Sequence, residues 1–189
     1  MRFVSFEVII GNPRPGSRTA AAAVAAARAV AEAAGIDGEP GVIDLSEYGP
    51  GLLEATPPAE VAAALERVKA AQVLLVASPT YKATYTGLLK VFLDRIAGGA
   101  LHGAVALPVL VMGAPQHALA VEVHLRPLLV ELGATVPSPG LALLESELET
   151  IIRPPGAAGE TPRPGSVLAE WAGQVVPAVR GALTAGAVR

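Results

Sequence analysis

Val73-Leu74-Leu75-Val76-Ala77 runs directly into Ser78-Pro79-Thr80-Tyr81-Lys82-Ala83-Thr84-Tyr85-Thr86-Gly87-Leu88-Leu89-Lys90. The first five residues are apolar without alternation, the pattern of a strand covered on both faces. A polar, aromatic loop follows, and then Leu88, Leu89, Phe92 and Ile96 fall on one side of a helix predicted over 87–96. Buried strand, loop and amphipathic helix in that order make one βα unit of a parallel sheet.

The same alternation extends to both sides. Phe3 to Ile10 reads as a strand ending at Gly11, and Ser17 to Ala34 as an alanine-rich helix closed by Gly35, a residue suited to a left-handed cap. Val42 to Leu45 is a short strand, and Pro57-Pro58 opens a helix through Ala71. Val105 to Met112 is another buried strand, with Pro108 awkward inside it. From Gln116 to Leu132 a helix is expected, with Val121, Leu125, Leu128, Leu129 and Leu132 on one face and Gly133 at its end. Pro127 should kink that helix or divide it in two. Thr135 to Leu143 gives the fifth strand and Val167 to Leu183 the last helix.

These elements predict an α/β fold, a doubly wound five-stranded parallel sheet of order 2-1-3-4-5. Ligands of such sheets sit beyond the carboxyl ends of the strands where the order reverses, here the loops after strands one, three and four. The 189 residues suit a single domain, 1–189, with a Pro/Gly-rich surface loop at 153–165 and a weakly held Ala/Gly tail from Gly181.

Composition narrows the functions. The chain is 52% hydrophobic, yet no apolar run approaches the roughly 20 residues of a membrane helix, and no signal peptide is visible. A formal charge of −3 offers no basic field for nucleic acid. With no cysteine, disulfides, thiolate metal sites and cysteine nucleophiles are excluded, and the three histidines have no ligand-like spacing. No Gly-x-Ser-x-Gly elbow is present, so Ser78 and His117 do not make a hydrolase site. Redox chemistry would therefore need an organic cofactor. A cytoplasmic location is the default.

The loop Gly11-Asn12-Pro13-Arg14-Pro15-Gly16-Ser17-Arg18-Thr19 joins close-approach glycines, two hydroxyls and two arginines to a helix N-terminus, a combination that suits a phosphate monoester. It lacks both the Gly-Lys-Ser/Thr ending of a P-loop and the dinucleotide G-x-G-x-x-G, and it equally suits an ordinary βα turn capped by Ser17. In the loop after strand three, Pro79 and Tyr81 can border a flat heteroaromatic ring, or the tyrosines can cap the core edge. The loop Met112-Gly113-Ala114-Pro115-Gln116-His117 can offer backbone donors to a ring edge, and His117 serves either as an acid or as a cap.

Taken together, these segments resemble the NAD(P)H-dependent FMN reductases, in particular those that feed reduced flavin to sulfonate-desulfonating monooxygenases. The first loop is similar to the family's Gly-Ser-Pro-Arg…Ser-Arg-Ser. The run from Ala77 to Asp94 is similar to its more specific Pro-(Val/Thr)-Tyr-Lys-(Ala/Gly)-(Ser/Thr)-(Tyr/Phe)-(Ser/Thr)-Gly-x-Leu-Lys-x-(Leu/Phe)-(Leu/Ile)-Asp. Ala100-Leu101-His102-Gly103 and Leu125 to Ala134 continue the likeness, which spans roughly residues 3 to 148.

The resemblance implies a flavodoxin-like domain that binds FMN and oxidises NAD(P)H, assembled as a homodimer or homotetramer. It implies that Arg14, Ser17 and Thr19, with Arg18 and Asn12 beside them, hold the FMN phosphate. Pro79, Thr80, Tyr81 and Lys82 border the ring, and Gly113 and Ala114 meet its far edge. Hydride passes from nicotinamide to flavin, and no side-chain acid or base is required. The reduced flavin goes to a monooxygenase, or bound FMN passes the electrons on. A flavin-retaining quinone or azo reductase and a flavodoxin-like carrier without NAD(P)H activity would use the same loops. Three positions depart from the family pattern: Asn12 replaces serine, Ala114 replaces a second glycine that leaves room for the flavin edge, and Val123 stands where desulfonation-linked relatives carry a tyrosine associated with flavin release.

Overall fold

In the computed structural model, residues 4–152 and 166–185 are described. Five parallel strands form one sheet in the order β2-β1-β3-β4-β5, with β1 Phe6–Ile10, β2 Gly41–Asp44, β3 Val73–Pro79, β4 Val105–Met112 and β5 Leu141–Leu144. This is the expected doubly wound order. The helices are α1 Arg18–Ala34, α2 Ala59–Ala70, α3 Gly87–Leu93, α4 Arg126–Glu131, α5 Leu148–Ile152 and α6 Val167–Ala185.

The apolar strands explain the layering. Val73, Leu75 and Ala77 face a core shared with α1, α5 and α6, while Leu74 and Val76 face a second core shared with α2, α3 and α4. Alternate residues of a strand point to opposite faces, so a run without polar residues must be covered twice. Small side chains on α1 (Ala22, Ala23, Ala26, Ala27) let it lie close to the sheet and to α6. Gly35 ends α1 at φ 73°, its N–H donating to the Ala31 and Glu32 carbonyls. Arg180 of α6 donates to the Ala33 and Ala34 carbonyls, so a cation caps the negative end of α1.

Several boundaries differ from the sequence reading. β5 begins at Leu141 rather than Thr135, which makes only an isolated bridge to Val105. Pro137 and Pro139 between them have no N–H for a ladder. Pro108 is tolerated in β4 for a related reason. Ala106 donates to the Thr135 carbonyl on the β5 side, Pro108 two residues on faces the same way, and the β4–β5 ladder starts only at Val109. The segment after β4 is not one helix: a short 3-10 turn at Pro115–His117 precedes a π-helical segment at Val121–Leu125, and Pro127 sits in the first turn of α4. Within the predicted weak tail, residues 181–185 instead continue α6, with Ala182 and Leu183 against the core, and 186–189 lie outside the described residues. The Pro/Gly-rich loop at 153–165 lies outside the described residues. No described helix is long and apolar enough to cross a membrane.

Candidate functional site

The loops after β1, β3 and β4 meet at the carboxyl edge of the sheet. In the first, Ser17 caps α1, its hydroxyl accepting from the Ala20 N–H at 3.2 Å. That leaves the N–H groups of Arg18 and Thr19, the first two of the helix, without an intrahelical acceptor. Buried Asn12 braces the turn: its side-chain amide donates to Thr19 Oγ1 at 3.1 Å and its oxygen accepts from the Arg14 N–H at 3.0 Å. The Ser17 and Thr19 hydroxyl protons remain available to an acceptor. Arg14 is exposed beside them and donates to the Tyr81 hydroxyl at 3.2 Å, which raises its already high pKa. Arg18 is turned away to Glu145 at 2.7 Å.

The second loop is a tight hairpin. Tyr81 and Thr84 exchange backbone hydrogen bonds at 2.8 and 3.2 Å, and Lys82 and Ala83 between them have φ of 51° and 66°. Two consecutive left-handed residues with side chains are unusual, each costing roughly 1–2 kcal/mol. The hairpin turns Tyr81 and Lys82 outward at the edge of the sheet.

Buried Ser78 and Thr86 join the loops. Ser78 Oγ accepts from the Thr86 N–H at 3.0 Å, and Thr86 Oγ1 donates to the Gly11 carbonyl at 2.5 Å while capping α3 through the Leu89 N–H. The Gly11 N–H donates to the Ala77 carbonyl, and the Thr80 N–H to that of Val111, both at 2.7 Å. A Cβ on Gly11 would sit 2.6 Å from Leu89 Cβ, so only glycine lets α3 approach this closely. The first two loops are thus hydrogen-bonded to each other, and the second is also tied to the end of β4, from which the third loop departs.

Gly113 differs. Its backbone is not left-handed, it is exposed, and a Cβ there would meet no atom within 4 Å. Nothing within the protein requires glycine, so the position leaves space for a ligand edge. Ala114 has ordinary extended backbone (φ −150°, ψ 141°) and is half-buried. Among the described residues, Thr80 Oγ1 and His117 Nδ1 are the buried side-chain polar atoms without a partner.

The structure brings Asn12, Arg14, Ser17, Thr19, Pro79, Thr80, Tyr81, Lys82, Gly113 and Ala114 to one edge, and pairs Arg18 with Glu145, the residue after β5, instead. Ser78 and Thr86 escaped the sequence reading as site-builders. Their only signal was two polar residues flanking a loop, and it becomes legible once both are seen to be buried.

Residues 5–148 match the family model described as NADPH-dependent FMN reductase. The FMN reductase (NADPH) of Escherichia coli (strain K12) is 45% identical over 69 residues, 36% of either chain. The NADH-dependent FMN reductase SfnF of Pseudomonas fluorescens (strain Pf0-1) is 41% identical over 71 residues, 38% of either chain. The chain therefore aligns with little more than a third of the length of these curated relatives. Over nearly its whole length, 94% of this chain and 88% of the other, it superposes on the solved apo form of an NADH:FMN oxidoreductase with a TM-score of 0.73 and 27% identity.

Proposed function

The chain belongs to the NADPH-dependent FMN reductase family, and on that premise we propose that it binds FMN at the three-loop platform and reduces it with NAD(P)H. The observation that supports this most is the junction of β1 and α1. Arg14, the Ser17 and Thr19 hydroxyls and two free helix N–H groups converge where a phosphate monoester would lie, on a loop locked to the neighbouring loop by Thr86. The donor set fits the group: positive charge, hydroxyl protons and unpaired amides, with no carboxylate in the loop.

FMN bound there supplies a two-electron acceptor for the nicotinamide hydride. The residues contribute binding and orientation. Arg14, Ser17 and Thr19 fix the phosphate, with Asn12 bracing the turn and Arg18 standing beside it against Glu145. Pro79, Thr80 and Tyr81 line one side of the ring, with Lys82 at the tip of the same loop just past them, and Gly113 and Ala114 admit its opposite edge. No proton need be held by a side chain, consistent with the absence of any carboxylate from all three loops.

A cytoplasmic location suits a nicotinamide-using reductase, and a flavin-dependent monooxygenase would be the partner if reduced FMN leaves. A homodimer or homotetramer would cover the segment after β4, where Leu119 and Val130 are exposed. Light scattering at micromolar concentration should then give a multiple of 19.1 kDa. The deciding experiment is NADPH and NADH oxidation with and without added FMN. Flavin-dependent oxidation of either supports the reading; FMN binding with no oxidation leaves a flavodoxin-like carrier in its place.

A further inference from the structure

The chain carries net negative charge, yet the loops 11–19, 78–90 and 112–117 contain no aspartate or glutamate and hold Arg14, Arg18, Lys82 and Lys90. Among the described residues, every lysine and arginine except two donates to a carboxylate or a backbone carbonyl. Arg18 and Lys90 are paired in this way with Glu145 and Asp94, and Arg95 and Arg180 with main-chain carbonyls. The two exceptions are Arg14, bonded only to the neutral Tyr81 hydroxyl, and Lys82, the residue after that tyrosine. The two uncompensated cations therefore sit on facing loops of one edge.

The proposed FMN phosphate accounts for one of them. Arg14 belongs to the loop that opens α1 and lies beside the free helix amides. Lys82 lies at the tip of the other loop, past the ring side, and is exposed. Its φ of 51°, followed by 66° at Ala83, is a costly conformation held by the two Tyr81–Thr84 hydrogen bonds. Such strain persists where the surroundings enforce it and is typical of ligand clamps. The turn presents a free ammonium next to Tyr81, which is 38% exposed. A cation beside an exposed aromatic suits a ligand with both a phosphate and a flat ring.

We infer that the Lys82 ammonium is the contact for a phosphate group of the nicotinamide dinucleotide, and so helps to set affinity for that substrate rather than for FMN. This rests on the FMN reductase reading. The dinucleotide offers a pyrophosphate in either form and a further 2′-phosphate in NADPH, and both are the anionic chemistry that an uncompensated ammonium recognises.

The test compares wild type, Lys82→Ala and Lys82→Arg, all loaded with FMN, with Lys69→Ala on the distant α2 as the charge control. NADP+ is titrated by fluorescence, and KM is measured for NADPH and NADH at low and raised salt. Loss of one charge-assisted contact should raise the NADP+ Kd and the NADPH KM of Lys82→Ala about 10-fold or more. Lys82→Arg should restore most of the affinity, and raised salt should narrow the gap. An equal loss with NADH assigns the pyrophosphate, and a loss confined to NADPH assigns the 2′-phosphate. NADP+ Kd and both KM values within twofold of wild type overturn the inference alone, as does a loss confined to FMN affinity or flavin potential. A wild-type protein that binds FMN and oxidises neither nicotinamide overturns the reductase reading, and this inference with it.

Discussion

At the scale of single residues, the platform depends on positions whose chemistry is local. Ala83 holds φ at 66° with a β-carbon. Replacing it by glycine removes a steric cost of roughly 1–2 kcal/mol and adds chain entropy of roughly 0.5–1 kcal/mol to the unfolded state. Ala83→Gly should therefore stabilise the fold by up to about 1.5 kcal/mol, read as a higher urea midpoint at unchanged slope. Arg14 is the opposite case, exposed and contributing little to folding. Arg14→Ala should weaken FMN binding about 10- to 100-fold, the size of one charge-assisted contact, while the urea midpoint stays where it was; unchanged affinity in a fluorescence titration removes Arg14 from the phosphate site. Arg14, Ser17 and Tyr81 were legible in the sequence because their residue types and their place after a strand carry the chemistry. The left-handed pair was not, since Lys-Ala lacks the Asn-Gly or Asp-Gly signature of such turns. Nor was the pairing of Arg18 with Glu145, which joins residues 127 apart in the chain.

Among the elements, the segment from Val121 to Gly140 depends most on a single ion pair. Arg126 donates to both Glu122 carboxylate oxygens and to the Val136 and Pro137 carbonyls, while Glu122 Oε1 accepts from the Gly140 N–H at 2.6 Å. These contacts tie the π-helical segment and α4 to the chain entering β5, and Trp171 of α6 secures the same stretch by donating to the Pro139 carbonyl at 2.9 Å. The Arg126 guanidinium and the Gly140 N–H hold the Glu122 pKa below its ordinary value, against a smaller opposing effect of burial. A folded pKa below the unfolded one means stability that is present above the ordinary glutamate range and lost as pH falls through the depressed value. Glu122→Gln should flatten that acid limb of the stability curve, with urea midpoints of wild type and variant converging as pH falls from 7 toward 3. A constant difference between them would show that the pair does not titrate in this way. Strand order and the type of most helices were legible here because two-faced apolar strands and one-faced helices leave a strong periodic trace. The late start of β5 was not, because Thr135 and Val136 have good strand propensity and only the prolines after them break the ladder. The π-helical segment leaves no periodic trace at all. It follows from where Pro127 must start a helix and from the anchoring of Glu122 and Arg126.

For the molecule as a whole, we propose that FMN stays bound through turnover rather than leaving after reduction. The argument combines two regions. Thr86 ties the β3 loop to the Gly11 carbonyl of the β1 loop and Thr80 ties it to Val111 of β4, so these two loops need not be assembled anew around each incoming flavin. Val123 lies in the π-helical segment that follows the β4 loop, and it is 57% exposed. The aromatic residue implied there by the resemblance could stack over a flavin and compete with another ring. Valine has no π-face, so a nicotinamide or a second acceptor can approach bound FMN in turn. Retention predicts ping-pong kinetics, with NAD(P)H reducing the bound flavin and leaving before the acceptor arrives, and purified protein that stays yellow through gel filtration. Double-reciprocal plots should then give parallel lines with a quinone or a second flavin as acceptor. Intersecting lines, together with a stoichiometric requirement for added FMN, would make the chain a shuttle. In that case Val123→Tyr should change neither the kinetic pattern nor the retention of flavin, whereas in a retaining enzyme the same substitution should speed flavin loss, because the new ring would compete for the face that valine leaves open.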